Sequence, residues 1–244
     1  MADTGAILFV IPARGGSKRL PRKNVLPLAG KPLICWTIEA ALEAKLDARI
    51  MVTSDDEEII AIARQYKSQG VISYKRPDEL ATDTASTADV LIDAVQAERS
   101  AGYSPQTIVL LQPTSPLRNA KHILAALDVY WEGGCEDTVV TVCEVDHPTA
   151  WVGTIGADTR LLGIDLSGRR SQDYSQEYRL NGAVYVSSVI NLLSTGKLLT
   201  DHLRVSVMPR ARSMDIDEEL DFRICECLFS YLDKNSIKPR EYSN

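Results

Sequence analysis

Five cations, Arg14, Lys18, Arg19, Arg22 and Lys23, fall within the stretch IPARGGSKRLPRKN, residues 11–24, with no acidic residue among them. Like charges at that density repel one another and call for compensating negative charge from outside the chain. Gly15 and Gly16 let backbone approach an anion closely, and the basic side chains offer charge-assisted hydrogen bonds. The stretch is neither a Walker A sequence nor G-x-G-x-x-G. Its chemistry is that of a phosphate-rich ligand such as a triphosphate.

A second set of residues carries the opposite charge. In MDIDEELD, Asp215 and Asp217 stand two apart, so in extended chain both point one way while Ile216 points to the core. Two hard carboxylates suit Mg²⁺, which takes one or two and completes its shell with water and phosphate. The competing reading makes Asp217 the cap of a helix starting near it, with Glu218 and Glu219 complementing the dipole. The denser run DDEE, residues 55–58, reads most simply as the first turn of a helix.

The elements that must position these groups follow from periodicity. Short apolar runs, AILFVIPA, RIMVTS, VISY, TIVLLQ and DTVVTVCEV, alternate with amphipathic stretches such as KPLICWTIEAALEAK and STADVLIDAVQAERS. That is the signature of an α/β fold with a mostly parallel sheet flanked by helices. From about residue 145 the texture turns to HPTAWVGTIGADTRLLGIDLSGRRSQDYSQEYRLNG, rich in turn residues and without helical period. Residues 145–180 are therefore read as an inserted β-rich lobe, and 1–144 with 181–244 as the main domain. In open α/β sheets, ligands bind beyond the carboxyl ends of the strands. The loops after AILFV, VISY, TIVLL and AVYVSS or LRVSV are the expected sites.

Composition narrows the class. The chain has 244 residues and a net charge of −6, which excludes a general nucleic-acid binder and a polybasic membrane-surface protein. No segment approaches the length of a membrane span, and AILFVIPA lacks the charged flank of a signal peptide. Five scattered cysteines and three histidines give neither a disulfide framework nor a zinc constellation. These features predict a cytoplasmic location.

IPARGGSKRLPRKNVLPLAGKPL, RPDELATDTAST, LLQPTSPLR, YRLNGAVYV and MDIDEELD, in that order, resemble the motifs of the cytidylyltransferases that activate nine-carbon α-keto acid sugars. These are the CMP-sialic acid synthetases and their legionaminic and pseudaminic acid relatives. Kdo cytidylyltransferases read more like STRLPGKPL in the first loop. The resemblance implies a Rossmann-like nucleotide-diphospho-sugar transferase fold. It also implies transfer of CMP from CTP to a nonulosonic acid for cell-surface glycan biosynthesis. Mg²⁺, with Mn²⁺ as a substitute, and a homodimer whose inserted lobe reaches the partner's active site complete the expectation.

Residue by residue, the resemblance makes Arg14 and Lys23 phosphate ligands, with Lys18 assisting and Asn24 near the nucleotide. Lys23 would stabilise charge in the transition state. Arg76, Ala85 and Thr87 would read the cytosine and ribose; LATDTAST alone also reads as a helix N-cap. Gln112, Arg179, Asn181, Tyr185 and Arg170 or its neighbour Arg169 would hold the sugar acid. Asp215 and Asp217 would hold the metal, with Asp217 a candidate proton acceptor. Where some sialic-acid enzymes read HPLK, this chain reads HPTAW, with Ala150 or Trp151 at the lysine's place.

Overall fold

The structure, a computed structural model, describes residues 5–82 and 84–235. In chain order the strands are β1 (Ile7–Pro12), β2 (Pro27–Leu28), β3 (Lys31–Pro32), β4 (Ala48–Ser54), β5 (Val71–Lys75), β6 (Thr107–Leu110) and β7 (Thr138–Glu144). β8 (Thr154–Ile155), β9 (Leu161–Leu162), β10 (Tyr178–Ser188) and β11 (Leu203–Val207) follow. The helices are α1 (Leu33–Glu43), α2 (Glu57–Arg64), α3 (Thr87–Ser100), α4 (Ala120–Glu132), α5 (Val189–Thr195) and α6 (Glu219–Asn235).

Seven strands form one sheet in the order β11-β7-β10-β6-β1-β4-β5. β4 and β6 pair with β1 in parallel, β5 pairs in parallel with β4, and β11 with β7; β10 alone runs antiparallel to its neighbours. The mostly parallel sheet expected from the alternating pattern is present. Alternation along β1 separates the two layers. Ile7, Phe9 and Ile11 enter the core with Ile34, Ile38, Ile59 and Ile123. Leu8 and Val10 enter the opposite core with Leu91, Val95 and Leu192. Successive strand residues face opposite sides, so one six-residue strand anchors both helical layers.

Local chemistry sets the helix starts. Asp56 caps α2 by accepting from the backbone N–H groups of Glu58 and Ile59, at 2.9 and 3.1 Å. Ser86 and Asp89 form a capping box on α3. Asn119 caps α4, whose N3 residue His122 accepts from the Asn119 N–H through Nδ1 at 3.2 Å. The last helix starts at Glu219, and Asp221 in its first turn accepts from the N–H groups of Asp217 and Glu218, both at 2.9 Å. The carboxylate of Asp217 turns to Arg19 and Lys23.

The segment 145–180 holds the small β8–β9 hairpin and short turns, and its last three residues already belong to β10. Because β10 is reversed, the end of AVYVSS lies beside Thr107, at the start of β6. The expectation that a ligand loop directly follows AVYVSS is corrected by this reversal. The beginning of β10 lies against the carboxyl end of β7, Tyr178 opposite Glu144, and Tyr185 in its middle lies against Leu110 at the carboxyl end of β6.

Candidate functional site: a charged cleft at the carboxyl ends of β1, β5 and β6

A cleft of about 560 Å³ opens where β1, β5 and β6 end. Arg14, Lys18, Lys23 and Asn24 line one side, Arg76, Ala85 and Thr87 another, and Gln112 and Asp217 close it. Residues from four distant motifs thus share one cavity. Pro12 is the last residue of β1, and Ala13 N–H donates to Thr53 O at 3.0 Å, so the basic loop leaves the sheet with its direction fixed.

Lys23 is 8 % exposed, and its ammonium donates to the Ile216 carbonyl and lies 3.4 Å from Asp217 Oδ1. Arg19 meets Asp217 Oδ2 at 3.1 Å. The basic loop and the acidic strand end therefore face each other across the cleft. Asn24 donates to the Arg14 carbonyl at 3.0 Å, while its own Oδ1 is buried without a hydrogen-bond partner. Arg76 is 5 % exposed and donates to Thr53 O at 2.7 Å; its Nε is buried and unpartnered. Burial holds the Arg76 guanidinium pKa below its ordinary value, with Asp55 and Asp93 acting against that effect.

The first loop's cations do not all look outward. Arg22 is bound by Asp56 and Glu58, in a fork whose longer arm, Nη2 to Asp56 Oδ1, measures 3.3 Å. Hydrogen bonding from Arg22 is the main reason that the Asp56 carboxyl lies below its usual range. Gly15 N–H donates to Asp55 Oδ1 at 3.2 Å. A Cβ on Gly15 would lie 2.5 Å from Asp56 Oδ2, so glycine is required there. The run DDEE is thus both a helix start and the internal counter-charge for the basic loop. The expectation that negative charge from outside the chain answers this stretch is corrected for Arg22, and in part for Arg19 and Lys23, which meet Asp217.

Asp215 lies behind Asp217, beside the loop after β6, where Ile216 N–H donates to Thr114 O at 2.8 Å. Burial raises the Asp215 pKa; a hydrogen bond from Thr114 opposes the rise and the charge of Asp217 adds to it. Its Oδ1 is buried without a partner. An orphaned carboxylate oxygen next to a second carboxylate at the cleft fits a small hard cation with few protein ligands. Among the described residues, no group of three or more His, Cys, Asp and Glu side chains gathers in metal-binding fashion. An ion here would rest on this pair, with water and phosphate oxygens completing its shell.

A second cavity of about 370 Å³ shares Ser86, Thr87 and Gln112 with the first. Tyr185, Leu110, Lys197 and Leu198 help to line it. Gln112 therefore stands at the boundary of the two spaces. Lys197 and Leu198 carried no sequence signal, because the turn after α5 that presents them has no distinctive motif. Asn181 lies elsewhere: it is 2 % exposed, accepting from Thr141 Oγ1 at 2.7 Å and donating to Ser213 Oγ at 2.9 Å. Its side chain is engaged in ordering β10 and lines neither cavity. Arg170 pairs with Asp173 in the lobe, and Arg179 sits exposed on β10; neither lines the cleft of its own chain.

Comparison with known proteins agrees with this geometry. Residues 8–154 match the family described as Cytidylyltransferase. The chain is 34% identical over 219 residues to N-acylneuraminate cytidylyltransferase of Escherichia coli O18:K1:H7, covering 89% of this chain but 51% of that protein. It is 33% identical to CMP-N,N'-diacetyllegionaminic acid synthase of Legionella pneumophila, covering 91% of this chain and 95% of that one. In fold it resembles CMP:2-keto-3-deoxy-manno-octonic acid synthetase solved with CTP, at a TM-score of 0.70 and 17% identity, covering 93% of this chain and 99% of that one. The chain spans about half the length of several of the N-acylneuraminate relatives it matches and nearly all of the legionaminic acid synthase. On the family match and the near end-to-end alignment, the chain belongs to the cytidylyltransferase family that includes the N-acylneuraminate cytidylyltransferases.

Proposed function

We propose that the chain transfers CMP from CTP to the anomeric 2-hydroxyl of a nine-carbon α-keto acid sugar, releasing pyrophosphate. The observation that carries this reading is the single cleft in which Arg14, Lys18 and Lys23 face Asp217, with Arg76 beside them. Such a site fits a triphosphate on its basic side and a metal-bound phosphate on its acidic side. The small residues Ala85 and Thr87 leave room for a base against backbone, and Asn24 and Arg76 offer unpartnered buried atoms to the nucleotide.

In this mechanism Arg14 and Lys18 hold the phosphates, and Lys23 stabilises the charge that builds on the α-phosphoryl group. The sugar hydroxyl oxygen attacks the α-phosphorus in line; the bond to the bridging oxygen of pyrophosphate breaks. Asp217 accepts the hydroxyl proton directly or through water. Asp215 and Asp217 would hold Mg²⁺, or Mn²⁺ in its place, which neutralises phosphate charge and lowers the hydroxyl pKa. Gln112 and Tyr185 orient the acid, whose tail enters the second cavity.

A homodimer fits the same reading. The face of β11 opposite α4 leaves Leu203, Val205 and Val207 between 42% and 56% exposed, and across β7 Tyr178 and Leu180 on β10 are exposed as well. By strand register Tyr185 shares that face. The homodimer proposed is a second copy covering this strip, with its lobe and Arg170 serving the partner's acceptor cavity. No helix among the described residues is long and apolar enough to cross a membrane. The five cysteines are free, in keeping with a reducing cytoplasm.

The test is pyrophosphate release with CTP and Mg²⁺ across N-acetylneuraminic, legionaminic, pseudaminic and Kdo acceptors. Release with at least one nine-carbon acid is expected; release with Kdo alone, or with none, rejects the assignment.

A further inference from the structure

Arg118 touches neither cavity, yet it joins the two segments that build the wall between them. It is 2 % exposed and among the largest fully buried side chains. Nη1 donates to the carbonyls of Gln112 and Ala183 at 3.4 and 3.3 Å, and Nη2 donates to Thr37 Oγ1 at 2.6 Å. Nε is buried without a partner, and the salt bridges of the described residues include no acidic partner for this guanidinium. Burial lowers its pKa to about 9.

An unpaired cation in the core works against stability, and an apolar side chain of similar volume would be the cheaper filler. What the guanidinium supplies instead is a planar group with two working nitrogens: Nη1 bridges the carbonyls of Gln112, in the loop after β6, and Ala183 on β10, while Nη2 holds Thr37 on α1. Those carbonyls belong to the residue whose amide borders both cavities and to a residue two positions before Tyr185. The fit at this junction is close. Gly182 has φ +75°, and a Cβ placed on it would lie 2.6 Å from Gln112 Oε1. Ser115 Oγ adds a weaker link to the Asn181 carbonyl at 3.4 Å.

We propose that Arg118 is a positioning residue for the acceptor: it fixes Gln112 against residues 182–185, so that the amide and the Tyr185 ring present one wall to the sugar acid. The proposal rests on the reading of the second cavity as the acceptor's end. Thr37 ties this junction to α1 and sets the orientation of the guanidinium plane.

Arg118→Lys keeps the charge and removes the fork. Acceptor KM is expected to rise about tenfold, while the CTP dissociation constant, titrated calorimetrically without acceptor, stays within about twofold. Equal weakening of both substrates, or an unchanged acceptor KM in a folded Arg118→Lys protein, overturns the proposal. Should that variant not fold, Thr37→Val decides. It leaves both carbonyl contacts and removes the third anchor, so acceptor KM is expected to rise about threefold; no rise overturns the proposal. A wild-type chain that releases no pyrophosphate with any nine-carbon acid rejects the acceptor assignment and this proposal with it. A working wild type with symmetrical losses in the variants rejects this proposal alone.

Discussion

The carboxylate of Asp56 binds the guanidinium of Arg22 and, with the same side chain, caps α2. Arg22 itself stands in left-handed backbone at φ +60°, a conformation costing about 1 kcal/mol or more for a residue with a Cβ. The pair therefore pins a turn of the basic loop to the start of a helix on the neighbouring strand connection. Asp56→Ala removes the cap, worth about 1 kcal/mol, together with the loop's anchor. A fall in Tm of roughly 2–4 °C per kcal/mol lost is expected by calorimetry. CTP affinity should weaken as well; unchanged stability and unchanged affinity would show that the pair is idle.

Lys23 behaves differently because it is nearly buried and aimed at Asp217. Lys23→Ala is expected to lower kcat by about 10²-fold while the CTP dissociation constant changes less than about tenfold. The opposite pattern would make Lys23 a binding residue only.

The acidic pair makes its own prediction. Asp215→Asn and Asp217→Asn, measured separately at limiting Mg²⁺, are each expected to lose activity by at least about tenfold and to weaken Mn²⁺ binding seen by electron paramagnetic resonance. Near-normal turnover and Mn²⁺ affinity in both variants would remove these residues from the metal assignment.

His122 sets a pH dependence of stability. Burial is the main reason its pKa falls to about 4, with the charges of Arg212 and Arg118 adding to the shift. Its Nδ1 accepts the Asn119 N–H, so the folded state holds it neutral. The unfolded chain takes up a proton below about pH 6.5, where the folded chain does not. Stability from this group is present above that pH and is lost as pH falls toward 4. His122→Gln is expected to flatten the denaturation midpoint between pH 6.5 and 4; an unchanged slope would assign it to other groups.

The bare strip on β11 predicts assembly. Val205→Glu is expected to shift the protein to monomer in sedimentation velocity without unfolding it. If it remains dimeric, the partner binds elsewhere.

Much of this was readable before any coordinates. Strand and helix order followed from apolar alternation because each element buries one definite face. The basic stretch holding Arg14 and Lys23 and the pair Asp215 and Asp217 stand out by charge in the sequence, whereas Arg76 and the role of Gln112 come from the resemblance of their motifs. What escaped was relational. Nothing in DDEE says that Asp56 will meet Arg22, since they lie on different connections brought together only by the pairing of β1 with β4. The resemblance of YRLNGAVYV alone makes Asn181 a ligand. The reversal of β10 and its irregular pairing between Leu180 and Tyr185 fold that side chain into the core instead. Lys197 and Leu198 sit in a turn with no distinguishing composition.

The reversed strand has one more consequence. The excursion that precedes β10, residues 145–177, leaves the sheet at the end of β7 and returns beside it, Tyr178 pairing with Glu144. Length and composition can therefore change in that segment while the seven-stranded sheet keeps its pairing.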